Sequence, residues 1–513
     1  MATGQIIIVA TIVAYLFGML LIGVIFNRQG AADTSDGFYI GGRGLGPLVT
    51  AMSAEASDMS SWLLMGLPGL AYISGVAEVG WTSIGLAVGT YINFLVVARL
   101  LRRYSERVGA FTIPDFYTKR YCDRENTLSL IAALIIIIFF VPYTASGFKA
   151  VGTLFNSLFG IEYHLAMIIG AVIIVAYTTM GGFLAVSTTD LVQSIFMTIA
   201  LIVIVFFGIN KAGGLGMVAE NARALPGYLN IMQGYDVTTN SASTYGFLTI
   251  ASTMAWGLGY FGMPHILLRF MAIRDERELI LSRRIASVWV VISMAVAIFI
   301  GVIGYSVSLT GAIPMLNTSS AESETIIIAI AHFMSEHGFV LAFMAGIILA
   351  GILAATMSTA DSQLLAAASS VSEDLMQNFG RIKLDQRGKM IAARATVIVI
   401  ASIAIVLAWN PNSSVFRIIS FAWAGFGASF GPTMLLALFW RRSNRQGAIA
   451  GMIVGGVMIF VWKFGIARLG GVFAIYELLP AFLLALAADV IVSLATKAPS
   501  AVITKTFDEV HQK

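Results

Sequence analysis

Residues 51–66 read AMSAEASDMSSWLLMG, and the interpretation of the whole chain depends on this stretch. It lies inside an apolar run that is long enough to cross a bilayer, yet it carries two carboxylates, Glu55 and Asp58, among several serines. A buried carboxylate in hydrocarbon is costly, and such residues usually face a partner, a cavity or an ion path. The stretch therefore predicts a functional site within a membrane-spanning segment.

The composition around this stretch is that of a membrane protein. Of the 513 residues, 58% are hydrophobic and 11% are charged, whereas about 25% are charged in a soluble domain. The apolar runs do not alternate with polar residues as the strands of an outer-membrane barrel do. A single cysteine, Cys122, excludes an intrachain disulfide and a cysteine-based metal cluster. The sequence therefore predicts an all-α, polytopic membrane protein.

The apolar runs predict thirteen membrane spans of roughly 20 residues or more. We place them at 5–26, 44–71, 77–101, 127–156, 163–182, 188–211, 244–271, 284–309, 337–373, 391–409, 414–440, 446–466 and 473–496. The segment 212–243 is rich in Gly, Asn, Ser and Thr, which predicts an external loop. The stretch 310–336 is expected to hold a short external helix that begins near Ser320.

The basic residues predict the orientation of these spans. Most Lys and Arg lie in the loops that follow odd-numbered spans, and the opposite side keeps only five: Lys211, Arg223, Arg417, Lys463 and Arg468. Loops rich in Lys and Arg stay in the cytoplasm. We therefore expect the N-terminus outside and the C-terminus inside. This reading also explains the net charge of +4 better than nucleic-acid binding does.

Two of the spans are interrupted. The second is broken by polar residues between Glu55 and Ser61, and the seventh, AWGLGYFGMPHILLRF, contains three glycines and Pro264. Non-helical backbone at membrane depth is tolerated where it lines a cavity. Corresponding broken segments in two halves of a chain indicate a transporter's central site. The alternative is a pair of packing kinks, which are common in membrane helices.

The ninth span carries a third polar cluster, AATMSTADSQ at 354–363. On a helix, Ala355, Ser358 and Ser362 share one face, which Thr359 and Asp361 flank. Hydroxyl and carbonyl oxygens suit a hard cation. Intramembrane Ser and Thr also bond one helix to another, and the segment alone leaves both readings open.

Taken together, the motifs resemble those of the sodium/solute symporter family. They are YIGGRGLGP, SAEASDMSSWLLMGLPG, GGFLAVSTTD, WGLGYFGMPH, LAATMSTADSQLL and AWAGFGASFGP, and they run in order from the first span to the last. The resemblance implies a LeuT-like core of two inverted repeats of five helices each. Its expected parts are a peripheral helix and loop (1–43), the first repeat (44–211), an external loop (212–243), the second repeat (244–440), and two peripheral helices with a cytoplasmic tail (441–513).

The resemblance also implies the site residues. A sodium ion is expected at the carbonyls of Ala56, Met59 and Ala355 and the hydroxyls of Ser358 and Thr359. Ion-coupling roles are expected for Asp58, Asp190, Glu55 and Asp361. Substrate contacts are expected from Ser60, Trp62, Tyr143, Trp256, Tyr260, Pro264 and Ser362.

The chain departs from the family pattern near these positions. Glu55 and Ser61 stand where the pattern has glycine, Met263 replaces glutamine, and Asp361 replaces serine. Ser362 stands at a position that holds cysteine or serine. Added carboxylates near a cation site can raise ion affinity, add a second cation or bring in a proton. They can also favour a more positively charged substrate.

The function that the resemblance implies is sodium-coupled uptake of a small amino acid by alternating access, with L-proline as the expected substrate. The same fold carrying another amino acid, a betaine-like osmolyte or a carboxylate, with or without proton coupling, is the first alternative. A ligand-sensing membrane protein is the second. No phosphate-binding loop of the GxxxxGK[ST] kind is present in the sequence, so ATP hydrolysis is not expected. Neither an organic cofactor, nor nucleic acid, nor an obligatory protein partner is expected.

Overall fold

The computed structural model describes residues 3–28, 37, 40–382 and 385–512. At 26–28, 177, 179–182, 378, 386–387 and 390 only the backbone is described. The predicted loop after the first helix therefore lies largely outside the described residues.

The described chain is helical nearly throughout. Its helices are α1 Thr3–Arg28, α2 Pro47–Asp58, α3 Leu67–Ser74, α4 Val76–Ile92, α5 Ala98–Val108, α6 Ile113–Arg120, α7 Thr127–Phe159, α8 Tyr163–Lys211, α9 Leu215–Arg223, α10 Phe247–Met254, α11 Pro264–Ala272, α12 Leu279–Leu309, α13 Ser320–Ser323, α14 Ile326–Ser335, α15 Phe339–Ser369, α16 Gln386–Leu407, α17 Val415–Phe439, α18 Arg445–Phe464, α19 Leu478–Ala495 and α20 Ala501–His511. Wider π-helical turns at Trp62–Gly66, Asn93–Val97 and Ser370–Phe379 precede α3, join α4 to α5 and follow α15, respectively.

Nine helical stretches within the described ranges are long and apolar enough to cross a membrane. Most predicted spans coincide with one helix or with a pair of shorter helices. The fifth and sixth predicted spans differ, because the backbone is helical from Tyr163 to Lys211 without interruption. This stretch contains no proline, and Gly181 and Gly182 weaken a helix by about 1 kcal/mol each without removing a hydrogen bond. Two apolar stretches, Tyr163–Ala176 and Phe183–Lys211, still lie on this one helix.

The predicted external segments have more structure than loops. The 212–243 segment contains α9 and the start of an antiparallel hairpin, β1 Gln233–Asp236 and β2 Ser241–Thr244. The helix expected near Ser320 is present as α13, and α14 follows it. The hydroxyl oxygen of Ser319 accepts a hydrogen bond from the amide of Glu322, which caps α13.

A buried carboxylate joins this external segment to the rest of the fold. Glu324 accepts hydrogen bonds from the Ser414 hydroxyl at 2.6 Å, the Val415 amide at 2.9 Å and the Phe416 amide at 3.1 Å. The amides at a helix start have no partner within the helix. Glu324 provides an acceptor for the first two amides of α17, those of Val415 and Phe416. The side chain is 2% exposed. The external segment is thereby fixed to the first turn of α17.

Candidate functional site

The second span is interrupted where its sequence becomes polar. Helix α2 ends at Asp58, and Met59 has φ −72° and ψ 62°, outside the helical region. The Ser60 amide donates a 2.7 Å hydrogen bond to the Asp58 carbonyl, which replaces the helical pattern with a tight turn. The indole of Trp62 donates to the same carbonyl at 3.1 Å. The predicted break is therefore confirmed, and side chains hold it in place.

The seventh span is broken in the predicted place as well. After α10, a 3₁₀ turn covers Ala255–Phe261, Met263 is extended, and Pro264 starts α11. The glycines allow close packing on both sides of this break. A methyl group at Gly257 would collide with the backbone of Gly85 on α4, and one at Gly262 would collide with the backbone of Phe426 on α17.

The two breaks meet in the interior of the protein. The Tyr260 hydroxyl donates a 2.6 Å hydrogen bond to Oδ2 of Asp58. The rings of Trp62 and Trp256 lie 6.3 Å apart, and the Tyr143 hydroxyl donates to the Asp58 carbonyl at 3.3 Å. Five of the predicted site residues therefore form one cluster around the interrupted backbone.

Four of the five predicted sodium ligands lie together between α2 and α15. The Ser358 hydroxyl donates to the carbonyl oxygens of Ala56 at 2.8 Å and Ala355 at 3.2 Å. The Thr359 hydroxyl donates to the Ala355 carbonyl at 3.2 Å. All four residues are buried, and so is Met59, the fifth predicted ligand. Carbonyl and hydroxyl oxygens are the donor set that a hard cation such as sodium requires, so these residues fit the ion.

Asp190 belongs to a second buried network, centred on Arg269. Arg269 lies 3.2 Å from Oδ2 of Asp190, and the Ser53 hydroxyl donates to the same oxygen at 2.6 Å. Arg269 also donates to the hydroxyls of Ser53 at 3.0 Å and Ser362 at 2.6 Å. Asp361 lies near enough to interact with the Arg269 charge. This network therefore contains Ser362, and its predicted contact with substrate stays a prediction.

Sequence reasoning did not single out Arg269. The signal was present, because Arg269 is a lone charge in the apolar run ILLRFMA. Charged residues in membrane spans usually pair with one another, so a search for the partner of Asp190 would have found it.

A cavity of about 960 Å³ lies beside the interrupted seventh span, where Trp256 forms part of its wall. The Trp256 ring lies 5.2 Å from Tyr476 and 5.3 Å from Phe416. Among the described residues that line the cavity, Trp256 is the only one of the seven predicted substrate residues. Ser60, Trp62, Tyr143, Tyr260, Pro264 and Ser362 are buried outside this lining.

Four charged side chains are among the residues that line this cavity. Lys463 pairs with Glu477 at 2.8 Å, and Arg417 lies 4.0 Å from Glu78. Both signs of charge are present, which suits a solute that is itself zwitterionic better than one with a large net charge.

Comparison with known proteins gives one consistent result. The profile of the sodium:solute symporter family matches residues 38–455. A protein of Staphylococcus aureus described as a sodium/proline symporter is 38% identical over 506 residues, which cover 97% of this chain and 95% of the relative. The protein of the same description from strain USA300 / TCH1516 is 38% identical over 507 residues, with 98% and 95% covered.

Two solved structures have the same fold. One is the substrate-bound, outward-open state of a Na⁺-coupled sialic acid symporter, with a TM-score of 0.78, 20% identity, and 96% of this chain and 99% of that chain covered. The other is a nucleobase-cation-symport-1 family transporter in a closed conformation, with a TM-score of 0.54, 15% identity, and 92% and 98% covered. At these identities the likeness concerns the fold alone.

Proposed function

The chain belongs to the sodium:solute symporter family, and on this basis we propose that it couples the inward movement of sodium to the uptake of L-proline. The chain is a multi-pass membrane protein. The observation that carries the proposal is the meeting of two interrupted spans at Asp58 and Tyr260, next to an oxygen-lined cluster that suits sodium.

The chemistry of the cluster supports a small zwitterion as cargo. Interrupted helices expose backbone amides that attract a carboxylate and backbone carbonyls that attract a cation. Trp62, Trp256, Tyr143 and Tyr260 offer apolar faces of the size of a pyrrolidine ring. Ser60 and Pro264 lie at the ends of the two breaks. These residues and Ser362 are the proposed substrate contacts.

The ion is proposed to bind at the carbonyls of Ala56, Met59 and Ala355 and the hydroxyls of Ser358 and Thr359. Since these residues lie on α2, in the break that follows it and on α15, a bound ion would hold the two helices in one relative position. By linkage, sodium then raises the affinity for substrate, and substrate raises the affinity for sodium by the same factor. Asp58 would orient the interrupted backbone beside the ion. The negative charges of Asp190 and Asp361 would change the electrostatic potential at the ion site.

The proposed transport cycle follows from the proposed fold. We propose inverted repeats at 44–211 and 244–440, with the N-terminus outside and the C-terminus inside. Spans two, three, seven and eight would rock as a bundle against the remaining helices. The 960 Å³ cavity is lined by residues of the predicted external side, such as Tyr245 and Ser413. Its position supports an arrangement that is open to the outside.

Uptake by proteoliposomes that contain the purified full-length protein tests this function. The substrates are labelled L-proline, other amino acids, glycine betaine and a small carboxylate, each with an imposed sodium gradient or an imposed proton gradient. We expect accumulation of proline that depends on the sodium gradient. Accumulation of another solute, or with a proton gradient alone, would replace the proposal by the corresponding alternative. Tight binding without accumulation of any solute would favour a sensor.

A further inference from the structure

Two carboxylates lie on the same face of α2 close to its end. Glu55 and Asp58 are three residues apart, which places side chains next to each other on a helix. They are 1% and 0% exposed, and each lies near enough to the other for their charges to interact. The proximity of two like charges in a buried position requires an explanation.

Within the described parts of the chain, three of the four carboxylate oxygens of this pair have no hydrogen-bond partner. Both oxygens of Glu55 and Oδ1 of Asp58 lack a hydrogen-bond donor among residues 3–28, 37, 40–382 and 385–512. Arg269, the buried cation described above, is bound to Asp190. A buried charge without a partner is strongly destabilising. The pair therefore has the properties of a site for a cation.

The Tyr260 hydroxyl and a second hydroxyl near it belong to other elements. The Tyr260 hydroxyl, which donates to Oδ2 of Asp58 at 2.6 Å, also lies close to Glu55 and Thr90. Thr90 Oγ1 on α4 is buried and lacks a hydrogen bond of normal geometry to any described residue. The Asn93 amide donates to the Tyr260 carbonyl at 3.1 Å, which holds the tyrosine against α4. The oxygens thus come from α2, α4 and the break in the seventh span.

This group of oxygens differs from the sodium site proposed above. The Ala56 carbonyl receives the Ser358 hydroxyl of α15, whereas Asp58 faces Tyr260. One sodium ion at the α15 site supplies a single positive charge. With both carboxylates ionised, one negative charge remains after that ion is bound.

We propose that Glu55, together with Asp58 Oδ1, Thr90 Oγ1 and the Tyr260 hydroxyl, binds a second sodium ion. The inference rests on the proposed sodium-coupled function and adds the stoichiometry to it. Both oxygens of Glu55 and one oxygen from each of the other three residues make a set of at most five ligands. Ca²⁺ takes six to eight oxygen ligands, so a small set that must also release its ion in each cycle suits sodium. Two sodium ions would then move with each substrate molecule.

The test is sodium stoichiometry in the full-length protein. Equilibrium binding of ²²Na⁺ to purified protein, and the reversal potential of uptake in proteoliposomes, are measured for the wild type and for Glu55→Gln. We expect two ions per protein and per substrate in the wild type and one of each in the variant. The Hill coefficient for sodium should fall from about two toward one, because it is bounded by the number of sites. Asp489→Asn, which changes a buried acid on α19, serves as the control and should keep the wild-type stoichiometry.

The outcomes separate this inference from the proposed function. One sodium ion per substrate in the wild type would overturn the second site and leave sodium-coupled uptake intact. The second sodium site would also be overturned if the vesicle lumen acidifies during uptake and Glu55→Gln abolishes the acidification. Glu55 would then carry a proton instead of binding sodium. Uptake without any dependence on sodium would overturn the proposed function itself. Should Glu55→Gln fail to fold, the wild-type reversal potential decides, and Thr90→Val provides a second variant with a weakened site.

Discussion

The hydroxyl of Tyr260 donates a 2.6 Å hydrogen bond to Oδ2 of Asp58, and this bond joins the ends of the two interrupted spans. Both side chains are buried, Asp58 at 0% and Tyr260 at 1% exposure. Because each residue lies at the break of its own span, a change in either break alters the position of the other. If Tyr260 contacts the substrate as proposed, Asp58 acts on the substrate through this bond without touching it.

Removing only this hydroxyl should weaken sodium dependence. In Tyr260→Phe the ring remains and the hydrogen bond to the carboxylate is lost, which costs about 1.5–3 kcal/mol. We expect the sodium concentration for half-maximal uptake to rise about tenfold or more, with folded protein in the membrane. Tyr305→Phe on α12 is the matched control and should leave that concentration unchanged. An unchanged value in Tyr260→Phe as well would show that the bond has no role in coupling.

Removing the carboxylate of Asp58 should have a larger effect. Asp58→Ala eliminates both the charge and the acceptor for Tyr260. We expect sodium-stimulated uptake to be lost while the protein still inserts and purifies as a monodisperse species. Labelled proline uptake with and without sodium checks this, alongside size-exclusion chromatography. If the variant takes up proline as well as the wild type does, Asp58 is not part of the mechanism.

The hydroxyls on α15 test the position of the first sodium ion. The double change Ser358→Ala and Thr359→Ala removes two proposed ligands and leaves the carbonyls of Ala56 and Ala355. We expect a higher sodium concentration for half-maximal uptake at an unchanged maximal rate. Ser369→Ala, which removes a hydroxyl bonded to the Ala366 carbonyl on the same helix, is the control. If the double variant needs the same sodium concentration for half-maximal uptake as Ser369→Ala does, the ion binds elsewhere.

The pair of Asp190 and Arg269 should be essential for stability. Both are buried, at 0% and 1% exposure, and removal of one partner leaves a buried charge that costs about 3–5 kcal/mol. We expect Arg269→Met to lower the unfolding temperature of the purified protein strongly. The double variant Asp190→Asn and Arg269→Met should regain part of the loss. An additive effect of the two changes would mean that the residues do not depend on each other.

The contact between Gly257 and Gly85 should be intolerant of any side chain. A methyl group at Gly257 collides with the backbone of α4, so Gly257→Ala must separate the seventh span from the third. We expect uptake to fall by at least tenfold while expression persists. Gly18→Ala on α1, where a methyl group meets open space, should be neutral. Normal uptake by Gly257→Ala would show that the two spans move apart without consequence.

The breaks in the membrane spans could be predicted from sequence because their causes are local. Glycine, proline and clusters of polar residues change the backbone within a few positions, and the interruptions at Asp58 and at Ala255–Phe261 lie where the sequence indicated them. The helix near Ser320 was predictable for the same reason, since a serine cap and the apolar run after it mark a helix start.

The features that were not predicted have other causes. Some depend on residues far apart in the sequence, and one depends on the absence of a residue that interrupts a helix. Arg269 stands out as a lone charge in an apolar run, but its partner Asp190 lies 79 residues away in the sequence, so the pairing became evident only in the structure. The stretch 163–211 was divided on the basis of composition, although nothing between its two apolar parts removes a backbone hydrogen bond. The hairpin that begins at Gln233 was missed because its two strands have only four residues each, and β2 is polar and exposed. The position of a span can thus be inferred from hydropathy, whereas the continuity of a helix requires knowledge of the backbone.

The hydrogen bonds of Glu324 restrict how two parts of the protein can move relative to each other. They fasten the segment that contains α13 to the residues that begin α17, among them Phe416 beside Trp256. Because the external segment and the start of α17 are attached to each other through Glu324, we expect them to move together. Spectroscopic labels on α14 and on the start of α17 should therefore keep a constant separation as the transporter changes state, and the distance from either label to α4 should vary.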